Sequence, residues 1–188
     1  EREVHRLRAG FDAIMIGGGT MRADDPQLTP RMVASGRTAT RRVILASDAK
    51  MPSDAALFRD VESAPIHLFS RDEAQDADLE ILEAAGVQVH VVAASEGGVD
   101  LPAVLGVCWE VGIRSILCEG GATLAANLLR ERLVHRVYLF ISPKTFGDAA
   151  VAAFPPDAGT LDWEDFRPAG PPVRYGADTL MVLDRQEG

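Results

Sequence analysis

The sequence predicts one α/β domain built on a largely parallel sheet that helices cover on both faces. Short apolar segments alternate with stretches of helical periodicity, and this alternation is typical of parallel strands joined by helices. The chain has 188 residues, of which 47% are hydrophobic and 25% are charged, which fits a single globular domain over residues 1–188. After Pro155 and Pro156, two extended segments follow with no helix between them. We therefore expect antiparallel edge strands at the C-terminal end of a mixed sheet.

The individual elements follow from the spacing of apolar residues. Apolar runs predict strands at residues 13–16, 43–46, 66–69, 87–92, 114–118, 137–141, 161–167 and 179–183. Helical spacing predicts helices at residues 1–8 and 78–85, a third that Asp100 caps, and a fourth that runs from a Gly-Gly turn to Arg130. An alternating architecture usually begins with a strand rather than a helix. We therefore expect that a strand preceding Glu1 is missing from this chain.

Charge and composition argue against several classes of protein. Nineteen basic and 28 acidic residues give a formal charge of −9, which disfavours binding to nucleic acid. No apolar run approaches the roughly 18 residues of a membrane span, and no secretory leader opens the chain. We expect a soluble, cytoplasmic domain in which Cys108 and Cys118 are reduced. The histidines are isolated from one another along the chain, so no metal site is predicted.

Two glycine-rich turns are candidate ligand loops. The first, Gly17-Gly18-Gly19-Thr20, follows a buried strand but matches neither a P-loop nor the Rossmann fingerprint. A plain turn and a ligand loop are equally compatible with it. The second, Glu119-Gly120-Gly121, precedes a helix, and the free N–H groups and dipole of a helix start favour an anion such as a pyrophosphate. A tight turn with nothing bound is the alternative there.

Charged residues surround the first glycine turn. Arg8, Arg22 and Arg31 flank it, and guanidinium groups near the carboxyl end of a strand suit bidentate contacts with phosphate. A solvated surface is the simpler interpretation of Arg22. Asp24 and Asp25 precede a proline and either bind ribose hydroxyls or form the turn. Because the sequence contains no nucleophile or metal motif, hydride transfer from a bound cofactor fits these residues.

Several short motifs follow one another along the chain. They are Arg6-Leu7-Arg8-Ala9, Asp12-Ala13-Ile14, Gly19-Thr20, Ala23-Asp24-Asp25-Pro26-Gln27-Leu28-Thr29-Pro30-Arg31, Arg42-Val43-Ile44-Leu45-Ala46-Ser47, Glu119-Gly120-Gly121-x-Thr123-Leu124 and Ile141-Ser142-Pro143-Lys144. In composition and order they resemble the reductase domain of the bifunctional riboflavin biosynthesis deaminase/reductase. The resemblance spans nearly the whole chain, and the pairing of T-x-x-x-D-D-P-x-L-T-x-R with E-G-G-x-T-L is specific.

The resemblance implies a three-layer α/β/α fold of the dihydrofolate-reductase type. It also implies the NADPH-dependent reduction of 5-amino-6-(5-phosphoribosylamino)uracil to its ribitylamino product, with hydride transfer to C1′ of the opened ribose. It places cofactor contacts at Thr20, Asp24, Ser47, Gly121, Ala122, Thr123, Leu124, Ala125, Ala126 and Asn127. It places substrate contacts at Arg8, Leu28, Arg31 and Glu119. Glu119 is also the candidate acidic helper, and no metal is implied.

The chain departs from the family pattern at its start and at Asn127. The family's first strand, and the deaminase domain that precedes it in the parent polypeptide, have no counterpart before Glu1, and Asn127 stands where a small residue is expected. The family habit and the edge near residues 137–141 predict a homodimer. The alternative functions are a reductase of the 2,5-diamino-pyrimidinone precursor and a nucleotide-binding domain without turnover. A flavodoxin-like electron carrier is disfavoured because only 6% of the residues are aromatic.

Overall fold

A computed structural model describes residues 2–29, 40–52, 54–71, 74–145, 147, 152–154 and 163–186. The chain divides into two compact units, Glu1–Leu124 and Ala125–Gly188. The assignment of a single domain to residues 1–188 stays a prediction. No helix in the described ranges is long and apolar enough to cross a membrane.

The first unit is built on a parallel sheet. Its described strands are β1 (Ala13–Gly17), β2 (Arg41–Leu45), β3 (Ile66–Arg71), β4 (Gln88–Val92), β5 (Ala94–Ser95), β6 (Gly98–Val99) and β7 (Ile116–Cys118). Five of them form the sheet in the order β4-β3-β2-β1-β7, and β5 pairs with β6 in a short hairpin. All four pairings within the large sheet are parallel. The predicted parallel sheet is therefore confirmed.

The helices largely agree with the predicted ones. They are α1 (Arg2–Arg8), α2 (Gly18–Asp24), α3 (Asp76–Ala84), α4 (Leu101–Glu110) and α5 (Ala122–Arg130), with a 3-10 helix, η1, at Ala56–Asp60. Asp100 caps α4 as predicted, because its carboxylate accepts a hydrogen bond from the Ala103 N–H at 2.8 Å.

The first glycine-rich segment forms a helix where the sequence predicted a turn. Gly17 ends β1, and α2 begins at Gly18 with no intervening loop. A Cβ on Gly18 would lie 3.2 Å from both the Cα and the Cβ of Ala46. Glycine therefore lets the first turn of α2 approach Ala46, the residue that follows β2. The helix can then begin directly after β1, where the sequence predicted a turn.

Residues of the parallel strands are buried on both faces of the sheet. On one face Ile14, Ile44 and Leu68 pack in a core cluster with Leu57 of η1. On the other face Met15 is also buried, at 1% exposure. Since water is excluded from both faces, the strands are continuous apolar runs rather than alternating ones.

The second unit contains an antiparallel sheet. Its described strands are β8 (Arg136–Ile141), β9 (Phe166–Pro168), β10 (Val173–Tyr175) and β11 (Asp178–Arg185), and β11 pairs with each of the other three. The predicted antiparallel strands near the C-terminus are confirmed, although the strand expected at 161–167 begins only at Phe166. Residues 161 and 162 lie outside the described ranges. The short strand β10 was not predicted, because three residues after two prolines show too little periodicity.

A buried histidine and a half-buried one lie side by side on the adjacent strands β3 and β4. His67 is 2% exposed, and its Nδ1 lies 3.1 Å from Nε2 of His90. Burial, together with the neighbouring His90 and Arg41, lowers the pKa of His67 to about 4. Burial also lowers the pKa of His90. Both rings are therefore neutral at pH 7.

The histidine pair predicts a loss of stability in mild acid. The folded pKa of His67 lies below its unfolded value, so its contribution is complete above about pH 6.5 and is lost as the pH falls towards 4, by about 3 kcal/mol. Urea unfolding between pH 7 and pH 4 measures this loss. His67→Leu should flatten the pH dependence, whereas His135→Gln, at an exposed position, should leave it unchanged. Equal slopes for His67→Leu and the wild type would contradict the prediction.

Candidate functional site

The carboxyl ends of β1, β2 and β7 meet at one edge of the parallel sheet. Gly17 lies opposite Leu45, and Met15 lies opposite Cys118. Beyond β7 the N–H of Glu119 donates a hydrogen bond to the Met15 carbonyl at 2.9 Å. The residues after these strands therefore gather where open α/β sheets bind their ligands.

Two of the predicted cofactor residues are neighbours at this edge. A Cβ on Gly121 would lie 3.1 Å from Oγ1 of Thr20, although the two residues belong to different glycine-rich segments. The absence of a side chain at Gly121 permits this close approach. The Thr20 hydroxyl and the Gly121 backbone are therefore adjacent at this edge of the sheet.

Ser47 lies at the same edge, directly after β2. Its carbonyl accepts a hydrogen bond from the Arg71 N–H at 3.2 Å, so it is fastened to the end of β3. A Cβ on Gly98, at φ 126°, would lie 3.0 Å from the Ser47 Oγ. The hairpin of β5 and β6 therefore lies beside the Ser47 hydroxyl.

Six further predicted cofactor residues lie in the first turns of α5. They are Ala122, Thr123, Leu124, Ala125, Ala126 and Asn127. The N–H groups of the first turn have no partner within a helix, so this end is suited to an anion. Asn127 is 9% exposed, and its Oδ1 accepts a hydrogen bond from Nη1 of Arg130 at 2.7 Å. Asn127, which stands where a small residue is expected, therefore makes a side-chain contact within α5.

The structure separates the roles of the two adjacent aspartates. Asp25, in the left-handed region at φ 40°, caps α2 through its N–H, and its Oδ1 accepts a hydrogen bond from the Ala56 N–H at 2.7 Å. Asp24 is exposed, and within the described part of the chain its carboxylate makes no hydrogen bond or ion pair. The turn-forming role therefore belongs to Asp25, which leaves Asp24 available to a ligand.

A cleft of about 330 Å³ lies between α1 and the segment that follows Asp25. Its lining residues are Val4, His5, Arg8, Pro26, Gln27, Leu28 and Thr29. Nε and Nη2 of Arg8 donate to the two carboxylate oxygens of Glu119, at 2.8 and 2.5 Å. Both side chains are about four-fifths buried, at 18% and 22% exposure. This hydrogen-bonded pairing raises the pKa of Arg8, against the opposing effect of burial.

Three of the four predicted substrate residues are thus brought together. Arg8 and Leu28 line the cleft, and Glu119 is bound to Arg8. Arg31 lies outside the described residues. Leu28 is 3% exposed and has a φ of 57°, an uncommon conformation for a residue with a side chain and one that often marks a ligand site.

Sequence reasoning missed His5 and Gln27, which also line the cleft. His5 is 7% exposed and lies three residues before Arg8. Its position was available from helical spacing, since residues three apart share one face of a helix. Gln27 carried no such signal, because it lies in an irregular segment.

Other sequence-selected groups have structural roles. Arg22 forms a long ion pair with Asp48, at 3.5 Å, and donates to the Lys50 carbonyl, so it belongs to the surface as expected. Burial raises the pKa of Cys108 and of Cys118 to about 11, so both thiols are protonated at neutral pH. Among the described residues no group of three or more histidine, cysteine or acidic side chains is arranged to hold a metal ion.

Comparisons with known proteins place these features in one family. A family model described as the RibD C-terminal domain matches residues 1–167. The 2,5-diamino-6-ribosylamino-4(3H)-pyrimidinone 5′-phosphate reductase of Archaeoglobus fulgidus is 32% identical over 154 residues, which cover 78% of this chain and 68% of that protein. The chloroplastic riboflavin biosynthesis protein PYRR of Arabidopsis thaliana is 31% identical over 159 residues, or 85% of this chain and 25% of that protein.

A solved structure of Acinetobacter baumannii RibD superposes with a TM-score of 0.78 at 22% identity, over 98% of this chain and 50% of that one. This likeness confirms the dihydrofolate-reductase-like α/β fold. The chain spans about half of that solved chain and a quarter of the plant protein.

The separate roles of the two aspartates predict different effects on stability. Asp25→Ala removes the acceptor of the Ala56 N–H and should lower the free energy of unfolding by about 1 kcal/mol. Asp24→Ala, at an exposed position, should change it by less than about 0.5 kcal/mol. Urea denaturation of both variants at pH 7 measures the difference. Equal losses in the two variants would show that the hydrogen bond between the Ala56 N–H and the Asp25 carboxylate does not stabilise the fold.

Proposed function

The chain belongs to the RibD C-terminal domain family, and we propose that it uses NADPH to reduce 5-amino-6-(5-phosphoribosylamino)uracil to 5-amino-6-(5-phosphoribitylamino)uracil. Relatives that are named as pyrimidinone phosphate reductases support an oxidoreductase of riboflavin biosynthesis. The observation that carries the proposal is the Arg8–Glu119 pair, which joins the cleft to the carboxyl edge of the parallel sheet. That pair links a pocket for a small polar molecule to the turn that opens α5.

The Arg8–Glu119 pair suits a polar heterocycle that carries a phosphoribosyl group. A guanidinium has five N–H donors, and Glu119 takes two of those of Arg8. The remaining donors are available to carbonyl or phosphate oxygens. The Glu119 carboxylate accepts hydrogen bonds, which suits ring N–H and amino groups. One pair thus offers both donors and acceptors to the substrate.

The residues at the sheet edge fit a dinucleotide cofactor. The Thr20 hydroxyl lies close to the Gly121 backbone, and the first turn of a helix such as α5 offers N–H groups to a pyrophosphate. Thr20, Asp24, Ser47 and residues 121–124 would hold the cofactor, with Asp24 suited to ribose hydroxyls. When bound, NADPH supplies the hydride for C1′ of the opened ribose.

The chain's own contribution to catalysis in this proposal is positioning. Arg8 already engages both oxygens of Glu119, so we assign Glu119 to substrate orientation in preference to the role of acidic helper. Holding the two reacting carbons at near-attack distance supplies much of the rate enhancement in such reactions. Protons then come from water or from the substrate's own groups.

The proposal includes a cytoplasmic homodimer whose parent polypeptide carries a deaminase domain. Relatives named RibD support that domain organisation. Leu139, Phe140 and Ile141 of β8 are 39–45% exposed, and a run of exposed apolar side chains on a strand favours contact with a second copy.

A reductase of the 2,5-diamino-pyrimidinone precursor is the second candidate. It is favoured by the name of the Archaeoglobus fulgidus relative, of which the chain covers 68%. The two substrates differ by an amino group in place of a ring carbonyl. Steady-state assays with each compound therefore separate them, and the higher kcat/KM identifies the substrate.

The cofactor assignment predicts the effect of one exposed aspartate. Wild-type protein should oxidise NADPH when the phosphoribosylaminouracil is added, and Asp24→Ala should raise the KM for NADPH by about tenfold to a hundredfold, since a hydrogen-bonded charged group contributes about 1.5–3 kcal/mol. Glu110→Ala, on the exposed end of α4, is the matched control and should behave as wild type. If wild-type protein neither binds nor oxidises NADPH, the proposed function is wrong.

The substrate assignment predicts a specific defect in Arg8→Lys. Lysine keeps the charge but loses the bidentate fork that holds Glu119. The KM for the pyrimidine should rise about tenfold or more, with a smaller fall in kcat and no change in the KM for NADPH. An Arg8→Lys enzyme whose KM for the pyrimidine equals that of wild type would remove Arg8 from the substrate site.

A further inference from the structure

One fully buried guanidinium lies behind the irregular wall of the cleft, which residues 26–29 form. Arg42, on β2, is 0% exposed. Its Nη1 donates to Oδ1 of Asp60 at 2.7 Å and to the Leu57 carbonyl at 2.6 Å, and its Nη2 donates to the Ala64 carbonyl. Burial lowers the pKa of Arg42 while Asp60 opposes that effect. The guanidinium thus hydrogen-bonds to three residues between the start of η1 and Ala64.

The same pair also reaches the wall of the cleft. Nη1 of Arg42 lies 3.3 Å from the Gln27 carbonyl, which accepts from it, and Nε2 of Gln27 donates to Oδ2 of Asp60 at 3.4 Å. Gln27 is therefore held through both its backbone and its side chain. Since Gln27 and Leu28 line the cleft, the contacts of Arg42 and Asp60 connect the buried core to the substrate side.

The residue that follows Gln27 needs such support. Leu28 has a φ of 57°, and a residue with a Cβ is strained in that region and persists there only when its surroundings enforce it. The side chain of Leu28 is 3% exposed and packs in the core cluster with Leu57. The core therefore holds Leu28 from one side, and the Arg42–Asp60 pair holds the preceding residue.

We infer that Arg42 and Asp60 are positioning residues that keep the Gln27–Leu28 wall in its substrate-binding conformation. This inference rests on the proposed function for its kinetic part. A buried ion pair stabilises a protein little compared with apolar side chains of similar size, because desolvation offsets its attraction. What this pair adds is two hydrogen bonds with Gln27, which lines the cleft.

Asp60→Asn tests the inference, because asparagine keeps the shape of the side chain and removes its charge. The KM for the pyrimidine should rise about fivefold or more, with kcat and the KM for NADPH nearly unchanged. Amide hydrogen exchange should accelerate at Gln27, Leu28 and Thr29. The matched control is Asp165→Asn, since Asp165 is 26% exposed against 23% for Asp60 and is also ion-paired with arginines, Arg132 and Arg185.

The outcomes distinguish this inference from the proposed function. If wild-type protein turns over and Asp60→Asn matches Asp165→Asn in KM, the pair is only structural and the inference is overturned. If wild-type protein does not turn over, the proposed function fails, and hydrogen exchange then decides alone. Faster exchange at residues 27–29 in Asp60→Asn than in Asp165→Asn supports the positioning role, and equal exchange overturns it.

Discussion

The parallel pairing of β1 with both β2 and β7 is the constraint on which the site depends. β7 ends at Cys118, opposite Met15, two residues before β1 ends at Gly17. The Glu119–Gly121 turn therefore runs alongside the end of β1, and Gly121 arrives at Thr20. A shift of one residue in this register would carry Glu119 away from Arg8 as well, since a one-residue slip turns every side chain to the opposite face.

Two arginine–carboxylate pairs of the first unit, Arg8–Glu119 and Arg42–Asp60, have different roles, ligand recognition and support of the cleft. The chain carries a formal charge of −9, so a phosphorylated ligand must be held by local cations that overrule the general field. Arg8 is partly exposed and keeps donors beyond those that Glu119 takes, which suits contact with a ligand. Arg42 is fully buried, and the described carbonyls and carboxylate around it occupy its terminal nitrogens. The Arg8–Glu119 pair is therefore placed to bind the ligand, and the Arg42–Asp60 pair is placed to hold the wall of the cleft.

Periodicity and capping predicted most elements, because their signals are local. The cap at Asp100 and the parallel strands are such cases. The start of α2 at Gly18 was not predictable from its glycines, since the close approach to Ala46 that favours it is a tertiary contact. Arg8 and Glu119 are 111 residues apart, so only motif resemblance suggested that they share a site. The burial of Arg42 had no signal at all, since an arginine at the start of a strand is usually solvated.

The wall of the cleft is fastened to η1 along its length. Asp25 accepts from Ala56 at the start of η1, and Gln27 donates to Asp60 at its end, while Arg42 binds both Asp60 and the Leu57 carbonyl between them. Because the segment is held at alternate residues, it loses little conformational entropy when a ligand binds. The entropic cost that usually weakens binding to an irregular loop is therefore small here. The opposite wall, α1, is ordered by its own backbone hydrogen bonds. Because both walls are ordered before the ligand binds, we expect the cleft to bind ligands of one ring shape and not to rearrange around others.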